Sequence, residues 1–498
     1  VALVCLSLTG HTIAEDLTVL DLYRGQVDVV ELRADYLDPS EKFIIRSFPE
    51  RAGLPCILTV RRRCDGGSFS DGEGVRLVML AKGLAYARSE RLANFTYVDL
   101  ESDFHVPAIE EACRTFGTRI IRSRHYPKRM PSDLDAAWAE VAATSDEIPK
   151  LAFSCAGAGE LARLVSWMDT LPERDRVILA MGESGFPSRI LAERLGSLWS
   201  YTSPLGAGLP GAAPGQLDPD AMEGVYHFAS LRRGTELFGL TGGPSVILSK
   251  SPALHNAAFK AAGRDAVFVP LPAEDATSFF ALAEALNLRG AAVTVPLKES
   301  LLPFLASLSP EARDIGACNT LLRTDSGWAG HNTDAVGFER ALLEFLARRD
   351  LVGMRATIVG AGGAARAIAH VLSRLGATCI VVNRSSNKAR ALARDYGFAW
   401  AVSDERAADL VADHADLIVN ATSVGMDGGQ PGDPLEYYEF TGREAVFDLI
   451  YRPERTPLLL RARAAGARVE NGWSMLRYQA AEQFRIWTGS EPPSDCYR

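Results

Sequence analysis

The chain has no C-x-x-C pair and no cysteine and histidine cluster at zinc-ligand spacing. Its eight cysteines, Cys5, Cys56, Cys64, Cys113, Cys155, Cys318, Cys379 and Cys496, are dispersed over 498 residues. That spacing excludes a zinc ribbon and a disulfide scaffold; it fits reduced thiols in a cytoplasmic protein with no metal site. No uninterrupted apolar run reaches the roughly 18 residues that span a bilayer. The opening stretch, "VALVCLSLTGHTIAEDL", lacks a basic leading region and meets acidic residues early, so it reads as a first strand rather than a signal or transit peptide. Basic charge is in deficit, with 53 Lys and Arg against 62 Asp and Glu for a net charge of -9. Broad contact with nucleic acid or an anionic membrane is therefore not expected, and small molecules are the expected partners. Short-period repeats and low-complexity segments are missing too. What remains is an ordinary globular mixture, 47% hydrophobic and 23% charged, long enough for about three domains.

The first half holds eight apolar, strand-like runs: "ALVCLSL", "VDVVELRAD", "PCILTVR", "TYVDLE", "RIIRSRH", "KLAFSC", "RVILAMG" and "LWSYTS". Most gaps carry helix-like segments such as "GVRLVMLAKGLAYARSERL" and "SRILAERLG". Eight strands alternating with helices predict an α/β fold of the (β/α)8 TIM-barrel kind, an open sheet being the alternative. A Gly/Pro-rich stretch at 204–219 and one helix-like segment, "AMEGVYHFASLRR", close this half. A new strand, "TELFGLTGG", then places the boundary near 231–235. The second half alternates strand and helix with too few strands for another barrel, and reads as a two-lobed α/β unit with a Rossmann lobe. The expected domains are 1–230, then 236–336 completed by C-terminal helices at 473–490, and 337–472.

Residues 355–372, "RATIVGAGGAARAIAHVL", contain "GAGGAA", a G-x-G-x-x-A match running from Gly360 through Gly362 and Gly363 to Ala365. Such a turn lets backbone N–H groups and a helix N-terminus approach a pyrophosphate. The next strand, "TCIVVNR", ends about twenty residues on, where an NAD site would carry Asp or Glu. This chain has Asn383, Arg384, Ser385 and then Lys388. With no carboxylate for a ribose 2'-hydroxyl and two cations for a 2'-phosphate, the expected cofactor is NADP.

Around this lobe, Ser249 and Ser251 lie two apart before Pro252, Thr294 and Lys298 share "VTVPLK", Asn319 follows "GAC", and Asp334 begins a helix-like run. With "SKSPALHN", "HNTDAVGF", "LIVNATSVGM", "FDLIYRPERTPLL" and "NGWSMLRYQAAEQF", these ordered stretches resemble the shikimate dehydrogenase family over essentially the whole second half. The resemblance implies that Lys298 and Asp334 are a catalytic pair and that Ser249, Ser251, Thr294, Asn319, Tyr451 and Gln479 hold substrate. It further implies that Gly360, Gly362, Gly363, Ala364, Asn383, Arg384, Ser385, Lys388, Thr422, Gly472 and Met475 hold NADP. An ammonium can protonate the alkoxide that hydride builds on a ketone, and a carboxylate can position it. One departure is Ala292, where the family often has Asn.

In "DVVELRADYL", Glu31 and Arg33 share one strand face, which in a barrel can be the interior. Arg61, Asp65, Glu101, His125, Lys150, Arg189 and Gln216 follow, although by this reading Lys150 begins its strand while barrel chemistry gathers at the other end. The stretches "ELRAD", "TVRRRCDGG", "VDLE", "SRHYP", "IPKLAF" and "APGQ" resemble type I 3-dehydroquinate dehydratases across roughly 1–225. That resemblance implies a Schiff base at Lys150, proton transfer by His125, and substrate binding by Arg33, Arg61, Arg189 and Gln216, with Glu31 and Asp65 beside them. Two departures are Asp65, usually Glu, and Ala212, usually Ser. Together the two resemblances imply a bifunctional enzyme that dehydrates 3-dehydroquinate and reduces 3-dehydroshikimate to shikimate, for aromatic amino acid biosynthesis. A sensor or repressor built on the same folds is the alternative from another class, and retention of Lys150, His125, Lys298 and Asp334 speaks against it. A preference of the second half for quinate or NAD is a third reading, disfavoured by Arg384 and Lys388.

Overall fold

The structure, a computed structural model, describes residues 1–85, 90–209, 211–493 and 495–497. They form two compact units. One comprises Val1–Leu237, Val246–Asn256 and Asp265–Leu288, and the other Phe238–Ser245, Ala257–Arg264 and Arg289–Arg498.

Eight strands of the first unit are β1 (Leu3–Leu8), β2 (Val29–Arg33), β3 (Cys56–Thr59), β4 (Tyr97–Glu101), β5 (Arg119–Tyr126), β6 (Ile148–Ser154), β7 (Val177–Met181) and β8 (Trp199–Thr202). They follow the order β7-β6-β5-β4-β3-β2-β1-β8, each pairing parallel. The first strand thus pairs with the last. The remaining seam is tied by Leu198 N donating to Arg176 O at 2.7 Å and by the Ser197 hydroxyl donating to Ile178 O at 2.8 Å. The arrangement is a barrel rather than an open sheet.

Strand periodicity of two sorts its interior into layers. Cys5, Val29, Ile57, Tyr97, Ile121, Ile148, Val177 and Trp199 form an apolar floor. Two residues along each strand, the next layer is Ser7, Glu31, Thr59, Asp99, Ser123, Lys150, Leu179 and Tyr201, all buried. β6 starts at Ile148, so Lys150 is not the first strand residue that the sequence suggests; it stands one layer above the floor, in register with Ser123.

Three helix expectations change. The segment 74–92 supplies the helix Glu73–Gly83, while 86–89 lie outside the described residues. The segment 188–196 is helical only within Phe186–Ile190, because the buried Ser188 hydroxyl accepts from Ala180 N at 3.0 Å and donates to Gly185 O at 2.8 Å, a side-chain alternative to helical pairing. The segment 221–233 breaks into Pro219–Gly224 and a short 3-10 turn, with His227 between them at φ 51°. The loop at 204–219 follows β8, residue 210 lying outside the described residues.

Beyond the barrel, the strands Glu236–Gly242, Gly290–Val293, Thr320–Thr324, Gly327–His331 and Ser307–Leu308 are successive neighbours in one mixed sheet. A second sheet is wholly parallel and has the order Ala399–Val402, Thr378–Asn383, Arg355–Val359, Leu417–Asn420, Ala445–Asp448, Arg468–Glu470. Its first strand in the chain, Arg355–Val359, sits in the middle, where strand order reverses, which is the dinucleotide crevice of a doubly wound sheet. The helix Gly363–Arg374 buries Ala365, Ala367, Ile368, Ala369, Val371 and Leu372. The last helix, Trp473–Thr488, lies against Asp334–Leu346. Gly337 permits that approach, since a Cβ there would stand 2.9 Å from Gln479 N.

Candidate active sites

The barrel site is a buried charge network. Lys150 Nζ donates to Asp99 Oδ2 and to Tyr201 OH, both at 2.8 Å, and lies 3.9 Å from Glu31 Oε1. Glu31 is held by the hydroxyls of Ser7 at 2.7 Å and Thr59 at 2.8 Å. Arg61 joins Asp99 at 2.7 Å and Glu101 at 2.6 Å, and donates to Ser123 Oγ at 3.1 Å. Ser123 donates to Asp99 Oδ1, and Glu101 also pairs with the buried Arg76. Burial alone would raise the Asp99 pKa, but Arg61 and Lys150 outweigh it and hold the carboxyl well below its usual range. His125, two residues above Ser123, is pushed the other way by burial and by Arg61 and Lys150, well below the ordinary imidazole value. Its Nδ1 has no hydrogen-bond partner among the described residues. The site therefore holds an amine within reach of two carboxylates and an imidazole kept neutral, the form that accepts a proton.

Other expected residues lie at the strand ends and in their loops. Arg33 spends its planar edge on Asp35, at 2.9 and 2.8 Å. Asp65 accepts from Arg62 Nε at 2.6 Å, so its shorter side chain is committed to that arginine. Arg189 is fully buried, its pKa pushed down to about 10 by burial; it donates to Pro214 O at 3.0 Å and its Nε is unpartnered among the described residues. Gln216 Oε1 accepts from Ser203 Oγ and, at 2.9 Å, from Ala213 N. Ser203 also accepts from Ala212 N at 3.0 Å, so a strand-end serine organises the loop in which residue 212 lacks a hydroxyl.

In the second unit, Lys298 and Asp334 are buried and their side chains are directly bonded. Asn319 Nδ2 donates to Asp334 Oδ1 at 2.8 Å and to Gln479 Oε1 at 3.1 Å, and its Oδ1 accepts from Thr333 N at 2.7 Å. The last helix thus closes the pair through Gln479. Thr294 directly follows the strand Gly290–Val293, with its N–H on Thr241 O at 2.8 Å. Ala292 is buried within that strand. In the segment counted with the first unit, Ser249 Oγ accepts from Ser251 N and donates to Ser251 Oγ, each at 3.1 Å.

The glycine turn meets the pair directly: a Cβ on Gly363 would stand 3.1 Å from Lys298 Cβ. Gly360 has φ 114°, and a Cβ there would stand 3.1 Å from Ala421 O and Thr422 Cγ2, while a Cβ on Gly362 would meet nothing within 4 Å. No side chain caps the helix that starts at Gly363, leaving N–H groups that include that of Ala364 for an anion. Arg384 and Lys388 are exposed past the second strand; Arg384 Nη1 reaches Gln430 Oε1 at 3.0 Å, and Asn383 Nδ2 donates to Ser385 O at 3.1 Å. Tyr451 stacks obliquely on Trp473 at 6.4 Å. Gly472 N donates to Ile450 O at 3.1 Å, and Met475 is buried in the cluster that includes Ala365.

The type I 3-dehydroquinase family matches residues 4–232, the shikimate dehydrogenase substrate binding domain 242–321, the shikimate / quinate 5-dehydrogenase family 344–425, and the shikimate 5'-dehydrogenase C-terminal domain 472–496. The bifunctional 3-dehydroquinate dehydratase/shikimate dehydrogenase of Arabidopsis thaliana, a chloroplastic protein by name, is 30% identical over 492 residues, covering 94% of this chain and 79% of the relative. The chain belongs to the bifunctional 3-dehydroquinate dehydratase/shikimate dehydrogenase family. The second half alone is 41% identical over 273 residues to the shikimate dehydrogenase (NADP(+)) of Moorella thermoacetica, covering 53% of this chain and 91% of that relative. The shikimate dehydrogenase structure from Aquifex aeolicus is 33% identical, with a TM-score of 0.49 over 54% of this chain and 97% of that one.

Within this family framework, sequence motifs missed Asp99, Ser123, Tyr201, Ser203 and Gln430. The first two were reachable: Asp99 lies two residues before Glu101, and Ser123 two before His125, on strands whose alternate residues face inward. Tyr201 looks like an ordinary apolar strand residue until the barrel closes and brings β8 beside β1.

Proposed function

We propose that the first half dehydrates 3-dehydroquinate to 3-dehydroshikimate through Lys150 and that the second reduces this product to shikimate with NADPH. The observation that carries the reading is one chain with two buried lysines, Lys150 among carboxylates in a barrel and Lys298 on Asp334 beside a dinucleotide turn.

In the barrel, Nζ attacks the substrate ketone carbon, and loss of the ketone oxygen as water leaves an iminium. The neutral His125 removes the α-proton, the electron pair passing into the iminium, and then returns the proton to the departing hydroxyl, which leaves as water. Water hydrolyses the conjugated iminium and frees Lys150. Arg33, Arg61, Arg189 and Gln216 are assigned to substrate carboxylate and hydroxyls, with Glu31 and Asp65 beside them.

The glycine turn, the uncapped helix start and the exposed Arg384 and Lys388 fit a dinucleotide with a 2'-phosphate. Gly360, Gly362, Gly363 and Ala364 would hold its pyrophosphate, Asn383, Arg384, Ser385 and Lys388 its adenosine end, and Thr422, Gly472 and Met475 its remaining faces. NADPH, when bound, supplies hydride. Lys298 protonates the ketone oxygen as charge develops there, and Asp334, oriented by Asn319, keeps the ammonium in place. Ser249, Ser251, Thr294, Asn319, Tyr451 and Gln479 are assigned to substrate.

The domain limits follow the three stretches 1–230, 236–336 with 473–490, and 337–472. Among the described residues no helix is long and apolar enough to cross a membrane. The cysteines are unpaired, which supports a reducing compartment such as the cytoplasm. The test is borohydride in the presence of 3-dehydroquinate: inactivation of dehydration with one adduct on Lys150 is expected, and an adduct elsewhere, or none, defeats the assignment.

A further inference from the structure

We propose that the Tyr201 hydroxyl is a positioning group for Lys150, favouring the uncharged, nucleophilic form of Nζ over the ammonium. The inference rests on the reading of Lys150 as the imine-forming amine. Among the described residues, two groups lie within hydrogen-bond distance of Nζ, Asp99 Oδ2 and Tyr201 OH, each at 2.8 Å. Nζ also sits 4.3 Å from the centre of the Tyr201 ring.

The two partners differ in what they can do. Asp99, kept ionised by Arg61 and Lys150 against its burial, accepts only, and so does Glu31 at 3.9 Å. Both favour the ammonium. A phenol accepts from an ammonium and, by rotating its O–H, donates to the lone pair of a neutral amine. Burial foremost, then Glu31, Cys5 and Asp99, push the phenol's pKa well above its ordinary value, so its proton stays available as a donor. The strands around Lys150 on β6 and Tyr201 on β8 complete this surround: Cys5 from β1, Glu31 from β2, Arg61 from the loop after β3, Asp99 from β4, His125 from β5, and the apolar Val177 and Leu179 from β7. Arg61 is already engaged by Asp99, Glu101 and Ser123. The hydroxyl is therefore the donor that supports a deprotonated Nζ, which must exist before the amine attacks a ketone.

Tyr201→Phe in the full chain removes the hydroxyl and keeps the ring and its packing against Trp199. Dehydration at neutral pH should fall about 2- to 12-fold in kcat, the worth of one net hydrogen bond. The acid limb of kcat/KM should move about 0.4 to 1 pH unit upward, with KM within about twofold. Tyr201→Leu, which also removes the ring, should show the same limb shift and a lower melting temperature. Reduction of supplied 3-dehydroshikimate serves as the folding control and should not change. An unmoved acid limb in Tyr201→Phe overturns the inference, whatever the rate. Borohydride trapping of the unaltered enzyme separates the two failures: no adduct on Lys150 removes the underlying reading, whereas an adduct with an unmoved limb removes this inference alone.

Discussion

Replacing Asp99 by Asn should destabilise the barrel more than almost any isosteric change in it. The carboxylate is about 1% exposed and joins Arg61 at 2.7 Å and Lys150 at 2.8 Å, with Ser123 on its other oxygen. Asparagine keeps the shape and removes the charge, so two cations remain buried with one anion fewer. Breaking a buried pair in this way costs about 3–5 kcal/mol, because the surviving charge keeps its desolvation penalty. For a unit of this size each kcal/mol moves the melting temperature about 2–4 °C, so a fall of roughly 6–20 °C is expected by calorimetry. The pH dependence gives a second handle. The folded pKa of Asp99 is depressed, so its contribution to stability is fully present above the unfolded value near 4 and is lost as pH falls below that value toward the folded one. In Asp99→Asn that acid slope should be shallower than in the parent. A melting temperature within about 2 °C of the parent, or an unchanged acid slope, would refute the claim that Asp99 carries the charge balance of the barrel.

Lys298→Ala and Asp334→Ala should each suppress ketone reduction, and the double variant should lose little more, since two groups acting as one unit are non-additive; rate losses that multiply would separate their roles. Exchanging Arg384 and Lys388 together for neutral residues should weaken NADPH binding by roughly a hundred- to ten-thousand-fold at low salt, less as salt rises, and leave NADH nearly unaffected. Equal losses for both cofactors would point to the shared pyrophosphate instead. Gly337→Ala should cost about 1–3 kcal/mol by pushing Gln479 off the helix Asp334–Leu346, and should raise the KM for 3-dehydroshikimate; a silent substitution would mean that the last helix does not fix Gln479.

All eight barrel strands are legible in the sequence because each alternates or concentrates apolar residues between turns, and the G-x-G-x-x-A turn marks its own strand and helix. The place of Lys150 is not, because Pro149 disguises the start of β6 and interior depth depends on neighbours that only the closed barrel supplies. Helix lengths at 188–196 and 221–233 are overestimated from apolar spacing, since neither the Ser188 hydroxyl's backbone bonds nor the left-handed His227 leaves a trace in periodicity. The catalytic residues that motifs name, Lys150, His125, Lys298 and Asp334, are ionisable groups with obvious chemistry. The residues they miss, Asp99, Ser123, Tyr201 and Ser203, matter through partners that are more than 10 residues away. Asp65 shows the converse, a motif position whose side chain turns to Arg62.

The central claim is that one chain carries out two consecutive steps, and a coupled assay tests it most directly. Supplied with 3-dehydroquinate and NADPH alone, the protein should generate the ultraviolet absorbance of the conjugated enone and then consume one NADPH for each 3-dehydroquinate, leaving shikimate. Absence of the enone, or an enone that accumulates while NADPH stays constant, would contradict it.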